Sequence, residues 1–115
     1  MSNPLYPEHP ASLAGLRRTL APETERAFLD FGRKVFSDGA LTGQTKHLIA
    51  VAVAHATQCP WCIRGHSKAA LRFGATPEQI MESIWVAAEM RAGASYAHSL
   101  IALDEISRST AGETA

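Results

Sequence analysis

Two cysteines and a histidine lie close together in the sequence, at a spacing that could support redox or metal chemistry. Cys59 and Cys62 are three residues apart, and His66 follows four residues after the second. Pro60 suits the first position of a helix, where its missing N–H group would have no partner. We therefore predict that Cys59 caps a helix, that Cys62 lies in its first turn, and that His66 falls on the same face one turn later. The positive end of the helix dipole would favour a thiolate there.

Three kinds of site could use this cysteine pair. Free cysteines are often buried and inert, so both could be packing residues. A zinc site would use Cys59, Cys62 and His66, with a fourth ligand from among His47, His55 and His98. Structural zinc sites usually have a second close ligand pair, which this sequence lacks. The proline at the helix start and the histidine at i+4 favour the third kind, a dithiol–disulfide redox centre.

Composition limits the functions that the chain can have. Its 115 residues predict one domain over residues 1–115. Lys+Arg and Asp+Glu both number 11, so no excess charge points to nucleic acid or to an anionic membrane. The longest apolar run, residues 48–54, is too short to span a membrane. Because the N-terminus lacks a basic region followed by an apolar one, we expect a cytoplasmic protein, in which a C-x-x-C pair is seldom a structural disulfide.

Helical periodicity and capping signals occur along the chain, without the alternation expected of strands. Three prolines predict an extended arm over residues 1–10, and Pro22 opens a helix in which apolar residues recur at helical spacing. Thr42 is a plausible cap for an apolar helix that precedes the cysteine pair. Together these signals predict helices over residues 12–20, 22 to about 38, 43–57 and 60–73.

The last part of the chain begins with a strong start signal for a helix. Thr76 is followed by proline and, three residues on, by Gln79, which is the pattern of a capping box. Gly93 predicts a kink or a break before a further helical stretch over residues 94–106, and a polar, frayed tail is expected over 107–115. The fold class is therefore all-α, with five or six helices.

Three stretches form a pattern typical of a known family. They are T-K-H-L-I-A-V-A-V-A over residues 45–54, C-x-x-C-x-x-x-H over 59–66, and G-A-T-P-E-Q-I over 74–80. In these stretches the chain resembles the carboxymuconolactone decarboxylase / alkylhydroperoxidase D (AhpD)-like family, over about residues 35–105. The resemblance implies an AhpD-like helical domain that forms homotrimers or homohexamers. Residues 48–54 and 84–88, apolar on nearly every face, also require cover from neighbours.

The resemblance also implies an activity and assigns roles to residues. Family members with this cysteine pair resemble peroxidases that reduce hydroperoxides through a cycling disulfide, an antioxidant function. Cys62 would attack the peroxide, Cys59 would resolve the product, and His66 would relay protons. The family pattern has a glutamate twelve residues before the first cysteine; this chain has His47 there. We expect His47 to serve as the outer group of the relay.

The implied reaction needs a hydroperoxide substrate and an external dithiol or thiol protein as reductant, because the chain has no second redox motif. We expect no cofactor and no metal for it. The decarboxylase branch of the family lacks the cysteine pair, so its chemistry is not implied. The alternative is a non-catalytic metal- or ligand-binding helical module that uses Cys59, Cys62 and His66. Trp61 lies between the cysteines and would either cover the disulfide or dock a partner, and we expect the first. We also expect Glu89 and His98 to be buried polar partners.

Overall fold

The computed structural model describes residues 5–112, which form five α-helices joined by short turns. Because residues 5–112 contain no strand, the all-α prediction is confirmed. The helices are α1 (Pro10–Leu20), α2 (Pro22–Phe36), α3 (Gly43–Thr57), α4 (Pro60–Arg72) and α5 (Pro77–Thr110). They fall into two compact units, divided between Ser37 and Asp38. That residues 1–115 form one functional domain stays a prediction.

The first unit contains α1 and α2, which meet at Ala21. Both helices begin with proline, as the sequence predicted for Pro22. Residues 5–9, in the predicted arm, are not helical, and α1 begins two residues earlier than expected; residues 1–4 lie outside the described residues. The Glu25 carboxylate lies 3.5 Å from Arg17 Nε and 3.8 Å from Arg18 Nε, which ties the two helices together.

The second unit is organised around α3, which packs against both α4 and α5. Its bounds are those predicted, and the Thr42 side chain accepts a hydrogen bond from the Thr45 N–H group as the expected cap. Small side chains dominate the buried positions, so the helices can approach closely. The buried apolar residues are Val51, Ala54, Ala69, Ala70, Ala75 and Ala87.

The last helix differs from its prediction. The capping box of Thr76 and Gln79 is present, but α5 does not end at Gly93. It is one continuous helix of 34 residues that includes this glycine. A single glycine inside a helix costs only about 1 kcal/mol relative to alanine, which the surrounding helix-forming residues outweigh. The helix also extends beyond the predicted end at residue 106, supported by an i,i+4 ion pair between Asp104 and Arg108. Residues 107–110, expected to be frayed, are therefore helical, and 113–115 lie outside the described residues.

Membrane insertion has no support in the helices of residues 5–112. Although α5 is long, neither it nor any other helix there combines the length and apolarity needed to cross a bilayer.

Candidate active site

A left-handed turn at Gln58 reverses the chain between α3 and α4. Gln58 has φ 55° and ψ 53°, and the Cys59 N–H group donates a 3.0 Å hydrogen bond to the carbonyl oxygen of Ala54. This six-residue closure is the bond of a Schellman motif, in which glycine is the usual left-handed residue. The turn brings the start of α4 back beside α3, so that side chains of the two helices can share one site.

The cysteine pair spans the start of α4. Cys59 is the N-cap residue and Cys62 lies in the first turn, as the sequence predicted. The two sulfurs are joined in a disulfide, with the Cα atoms 5.3 Å apart, inside the ~4.4–6.8 Å range usual for disulfides. The Cys62 N–H group points at Cys59 Sγ, 3.4 Å away. Sulfur at the cap thus faces an otherwise unpaired backbone donor, an environment that stabilises negative charge on sulfur.

His47 of α3 and His66 of α4 meet beside this helix start. Their Nδ1 atoms are 3.1 Å apart and their ring centroids 5.3 Å apart. At this distance one nitrogen donates the proton and the other accepts it. His66 lies one turn beyond Cys62 on the same face of α4. The structure therefore joins Cys59 to Cys62 and His47 to His66, and α4 carries both Cys62 and His66.

The surroundings of His47 keep its imidazole neutral. Only 8% of the residue is exposed, and its ring packs 5.0 Å from the ring of Phe73. Burial lowers the pKa of His47, and the nearby positive charges of His66 and Arg72 lower it further. Gln44 holds Phe73 in place, because its side-chain amide donates a 2.8 Å hydrogen bond to the Phe73 carbonyl oxygen. A neutral ring can both accept and return a proton.

Sequence reasoning missed Phe73, Arg72 and Gln44 as parts of this environment. Phe73 follows His66 by seven residues, so it lies on the same face of the cysteine helix two turns on. That spacing was the available signal for Phe73. No sequence signal pointed to Gln44, because its hydrogen bond to Phe73 depends on how the start of α3 packs against the end of α4.

Other candidate residues lie outside the site. The His55 ring makes a 2.7 Å contact with the carbonyl oxygen of Val51 in its own helix. Glu89 and His98 are exposed, so the expectation that they are buried partners was wrong: among its described residues α5 buries only Ala87. Trp61 is 50% exposed.

In residues 5–112, with the two sulfurs joined, no three His, Cys, Asp or Glu residues form a group that could hold a metal ion.

Comparison with known proteins yields relatives over most of the chain. The model of the carboxymuconolactone decarboxylase family matches residues 22–105. The chain is 59% identical over 109 residues to a Paracoccus denitrificans protein named "Uncharacterized protein 4 in cox locus", covering 92% of this chain and 97% of the relative.

Two solved structures also resemble this one. A carboxymuconolactone decarboxylase family protein from Legionella pneumophila gives a TM-score of 0.66 at 36% identity, covering 70% of this chain and 71% of its own. A protein from Methanobacterium thermoautotrophicum gives a TM-score of 0.68, also at 36% identity, covering 72% and 93%.

Proposed function

Since this chain belongs to the carboxymuconolactone decarboxylase family, as the sequence pattern predicted, we propose that it is a thiol-dependent peroxidase with an antioxidant function. It would reduce hydroperoxides through the Cys59–Cys62 pair. The proposal rests above all on one observation. A cysteine pair at disulfide distance begins the same helix that carries His66, and His66 in turn contacts the buried His47. These groups supply a nucleophile, a resolving thiol and a route for protons.

In the first step, the Cys62 thiolate attacks the outer oxygen of the hydroperoxide. A sulfur–oxygen bond forms, the O–O bond breaks, and Cys62 becomes a sulfenic acid. The leaving alkoxide takes a proton from His66 and departs as an alcohol. Such a positioned acid contributes typically ~10²–10⁴-fold to the rate.

In the second step, the Cys59 thiol attacks the sulfenic acid, closing the disulfide and releasing water. One hydroperoxide and two thiols thus yield one alcohol, one water and one disulfide, so electrons and protons balance. An external dithiol or thiol protein must then reopen the disulfide. His47, kept neutral by burial, relays the proton that returns His66 to its acidic form: one ring nitrogen of His47 takes a proton from water while Nδ1 passes its own proton to His66 Nδ1. The reverse transfer uses the same two nitrogens.

A steady-state assay tests the proposal. Purified protein is given hydrogen peroxide, an alkyl hydroperoxide or an aryl hydroperoxide, with dithiothreitol or a thiol protein as reductant. We expect turnover with wild type and none with Cys62→Ser. If no hydroperoxide is consumed with any reductant, the proposal fails.

The same preparation tests the alternative, a metal- or ligand-binding module. Zinc titration of the reduced protein would then give sub-micromolar binding with loss of both free thiols, and no peroxide would be consumed. A homotrimer or homohexamer and a cytoplasmic location remain predictions.

A further inference from the structure

A groove adjoins Cys59 at the turn between α3 and α4. It has a volume of about 760 Å³, and its lining includes His55 of α3 together with Gln58 and Pro60, the residues directly before and after Cys59. Ligand pockets commonly have volumes of roughly 300–1,000 Å³, so the groove can hold a small molecule or a short chain segment. It begins beside the residue that the proposed reaction uses as the resolving thiol.

Two rows of side chains along α4 line this groove. Pro60, Arg64 and Lys68 are four residues apart and form one row, and Ile63 and Leu71 lie in the row next to it. Arg64 and Lys68 are exposed, and none of the ion pairs among residues 5–112 involves either of them. No carboxylate is among the described residues that line the groove. It therefore offers two cations without a counter-charge beside an apolar strip.

The groups that the proposed mechanism directs at the peroxide are not part of this surface. The described lining of the groove includes neither His47, Cys62 nor His66. The proposed cycle has a second requirement, which is access for a reductant to the disulfide that peroxide leaves behind. A partner seated in the groove would meet the cysteine pair at Cys59, so the groove suits this second step.

We propose that the groove binds an acidic, cysteine-bearing segment of the dithiol protein that reopens the Cys59–Cys62 disulfide. The inference rests on the proposed function, because it takes this disulfide to be the product of peroxide reduction. Carboxylates of the segment pair with Arg64 and Lys68, and its apolar atoms pack on Ile63 and Leu71. Complementary charges of this kind steer the encounter and fix the orientation of the partner.

The spacing of the cations along α4 matches an extended peptide. Because a helix rises about 1.5 Å per residue, Arg64 and Lys68 lie about 6 and 12 Å along α4 from Pro60. An extended chain advances about 3.3 Å per residue, and side chains two residues apart point to the same face. With the attacking cysteine at Cys59, acidic residues two and four positions from that cysteine would reach the two cations. The segment therefore has the order cysteine, any residue, acidic residue, any residue, acidic residue.

The exchange proceeds in two balanced steps. A thiolate of the reductant attacks Cys59 Sγ, so a mixed disulfide forms and the Cys59–Cys62 bond breaks. Cys62 leaves as a thiolate, which is the form that attacks the next peroxide. The second thiolate of the reductant then attacks its own sulfur in the mixed disulfide, and Cys59 leaves and takes up the proton that this thiol released. The reductant is oxidised from dithiol to disulfide, and this chain gains the two electrons.

Thiol exchange with the oxidised full chain, in the absence of peroxide, tests the inference. The probes are end-blocked peptides of sequence Cys-Ala-Glu-Ala-Glu, Cys-Ala-Gln-Ala-Gln and Cys-Ala-Lys-Ala-Lys. Quenching with N-ethylmaleimide and mass spectrometry count the free thiols and locate the mixed disulfide. Each rate is divided by the rate of the same peptide with bis(2-hydroxyethyl) disulfide, a neutral reference that corrects for intrinsic thiol reactivity.

With wild type we expect the mixed disulfide on Cys59 and the corrected rates in the order acidic, neutral, basic. The acidic peptide should react roughly fivefold faster than the neutral one, as expected for two exposed ion pairs. Arg64→Glu with Lys68→Glu should reverse the order. Arg26→Glu with Lys34→Glu, which makes the same change in charge at exposed positions of α2 outside the groove lining, is the control and should keep the wild-type order.

Circular dichroism checks that each variant keeps its helices. If the reversal in the groove unfolds the chain, Arg64→Gln with Lys68→Gln replaces it and should bring the three corrected rates close together. Equal corrected rates for the acidic and neutral peptides with wild type overturn the proposal. So does an acidic preference that survives the changes at Arg64 and Lys68, or a mixed disulfide on Cys62.

Glutathione distinguishes a small thiol from a peptide segment, because it carries two carboxylates without the proposed spacing. A corrected rate equal to that of the acidic peptide would contradict the assignment to a protein segment. Since no peroxide is present, the outcome is separate from that of the peroxidase assay. A chain without peroxidase activity can still show the charge preference, and an active peroxidase can lack it.

Discussion

His47 and His66 are nineteen positions apart in the sequence, and their Nδ1 atoms lie 3.1 Å apart in the structure. One residue comes from the middle of α3 and the other from the second turn of α4. The contact therefore depends on the turn at Gln58 that folds the two helices together. Because the two rings share this contact, proton transfer in the proposed site depends on both histidines together.

Replacing His47 should slow the reaction with peroxide. In His47→Ala, His66 loses a hydrogen bond that is charge-assisted whenever His66 is protonated. Such bonds are worth about 1.5–3 kcal/mol, which corresponds to roughly a 10–100-fold slower peroxide step. Stopped-flow oxidation of the reduced protein measures this step directly, and disulfide formation should still go to completion.

His55→Ala is the matched control, because His55 lies on the same helix and its ring contacts the Val51 carbonyl of that helix. It should leave the rate near that of wild type. His47→Glu should keep turnover and move the acid limb of the rate profile to lower pH, because the unperturbed pKa is ~4.3 for glutamate and ~6.5 for histidine. An unchanged rate and pH profile in His47→Ala would mean that His47 is a packing residue and that the relay ends at His66.

The lowered pKa of His47 should make the fold less stable in mild acid. Below about pH 6.5 this histidine takes up a proton in the unfolded chain, while burial and the positive charges of His66 and Arg72 keep it neutral in the folded one. The unfolded state then binds more protons, so the free energy of unfolding falls as the pH drops toward the folded-state pKa. One group contributes at most about 1.4 kcal/mol per pH unit.

Urea unfolding at several pH values between 5 and 8 measures this effect. His47→Gln removes the titrating ring while keeping a polar side chain of similar reach, so its free energy of unfolding should depend less on pH in this window. His9→Gln, at an exposed position, is the control. Equal pH slopes for wild type and His47→Gln would contradict the proposed burial of a neutral ring.

Local sequence signals predicted much of this fold because capping is a local property. Thr42, Cys59 and Thr76 each accept a hydrogen bond from a backbone N–H group three residues ahead, and each marks a helix start correctly. At Gly93 the sequence predicted a kink or a break, and the break does not occur, since α5 is continuous there. Helix continuation there is decided by the whole surrounding segment, in which one glycine is a small cost.

The candidate site, too, has features that follow from local spacing and others that depend on packing between helices. The relation of Cys59, Cys62 and His66 follows from their spacing on one helix. The family pattern pointed to His47, but its burial and the ring of Phe73 depend on packing between α3 and α4. Neither helix alone encodes that packing, which is why the lowered pKa of His47 could not be derived from the sequence.

The cysteine pair should cycle between dithiol and disulfide. Thiol counting on the reduced protein should give two free thiols, none after one equivalent of peroxide, and two again after dithiothreitol. In Cys59→Ser the sulfenic acid on Cys62 has no resolving partner, so a dimedone-type reagent should trap it. Cys62→Ser should give no such adduct, which makes it the control. Trapping on Cys59 of Cys62→Ser, with none on Cys62 of Cys59→Ser, would reverse the two roles.

The left-handed turn at Gln58 should tolerate glycine and reject proline. A residue with a Cβ atom pays about 1–2 kcal/mol in this conformation, whereas glycine adopts it readily. Gln58→Gly should therefore relieve this penalty, but glycine also loses more backbone entropy on folding, which offsets part of the gain. The free energy of unfolding should accordingly stay unchanged or rise by up to about 1 kcal/mol. Proline cannot adopt φ 55° and has no N–H group for the bond that Gln58 donates to Ala54.

Gln58→Pro should accordingly lower the free energy of unfolding by about 3 kcal/mol or more. Because this turn aligns α3 with α4, the substitution should also slow peroxide reduction in the molecules that remain folded. Urea unfolding of both variants beside wild type gives the stability, and stopped-flow oxidation gives the rate. If Gln58→Pro matches wild type in stability, the turn does not require a left-handed residue, and the approach of His47 to His66 must be held by the α3–α4 packing alone.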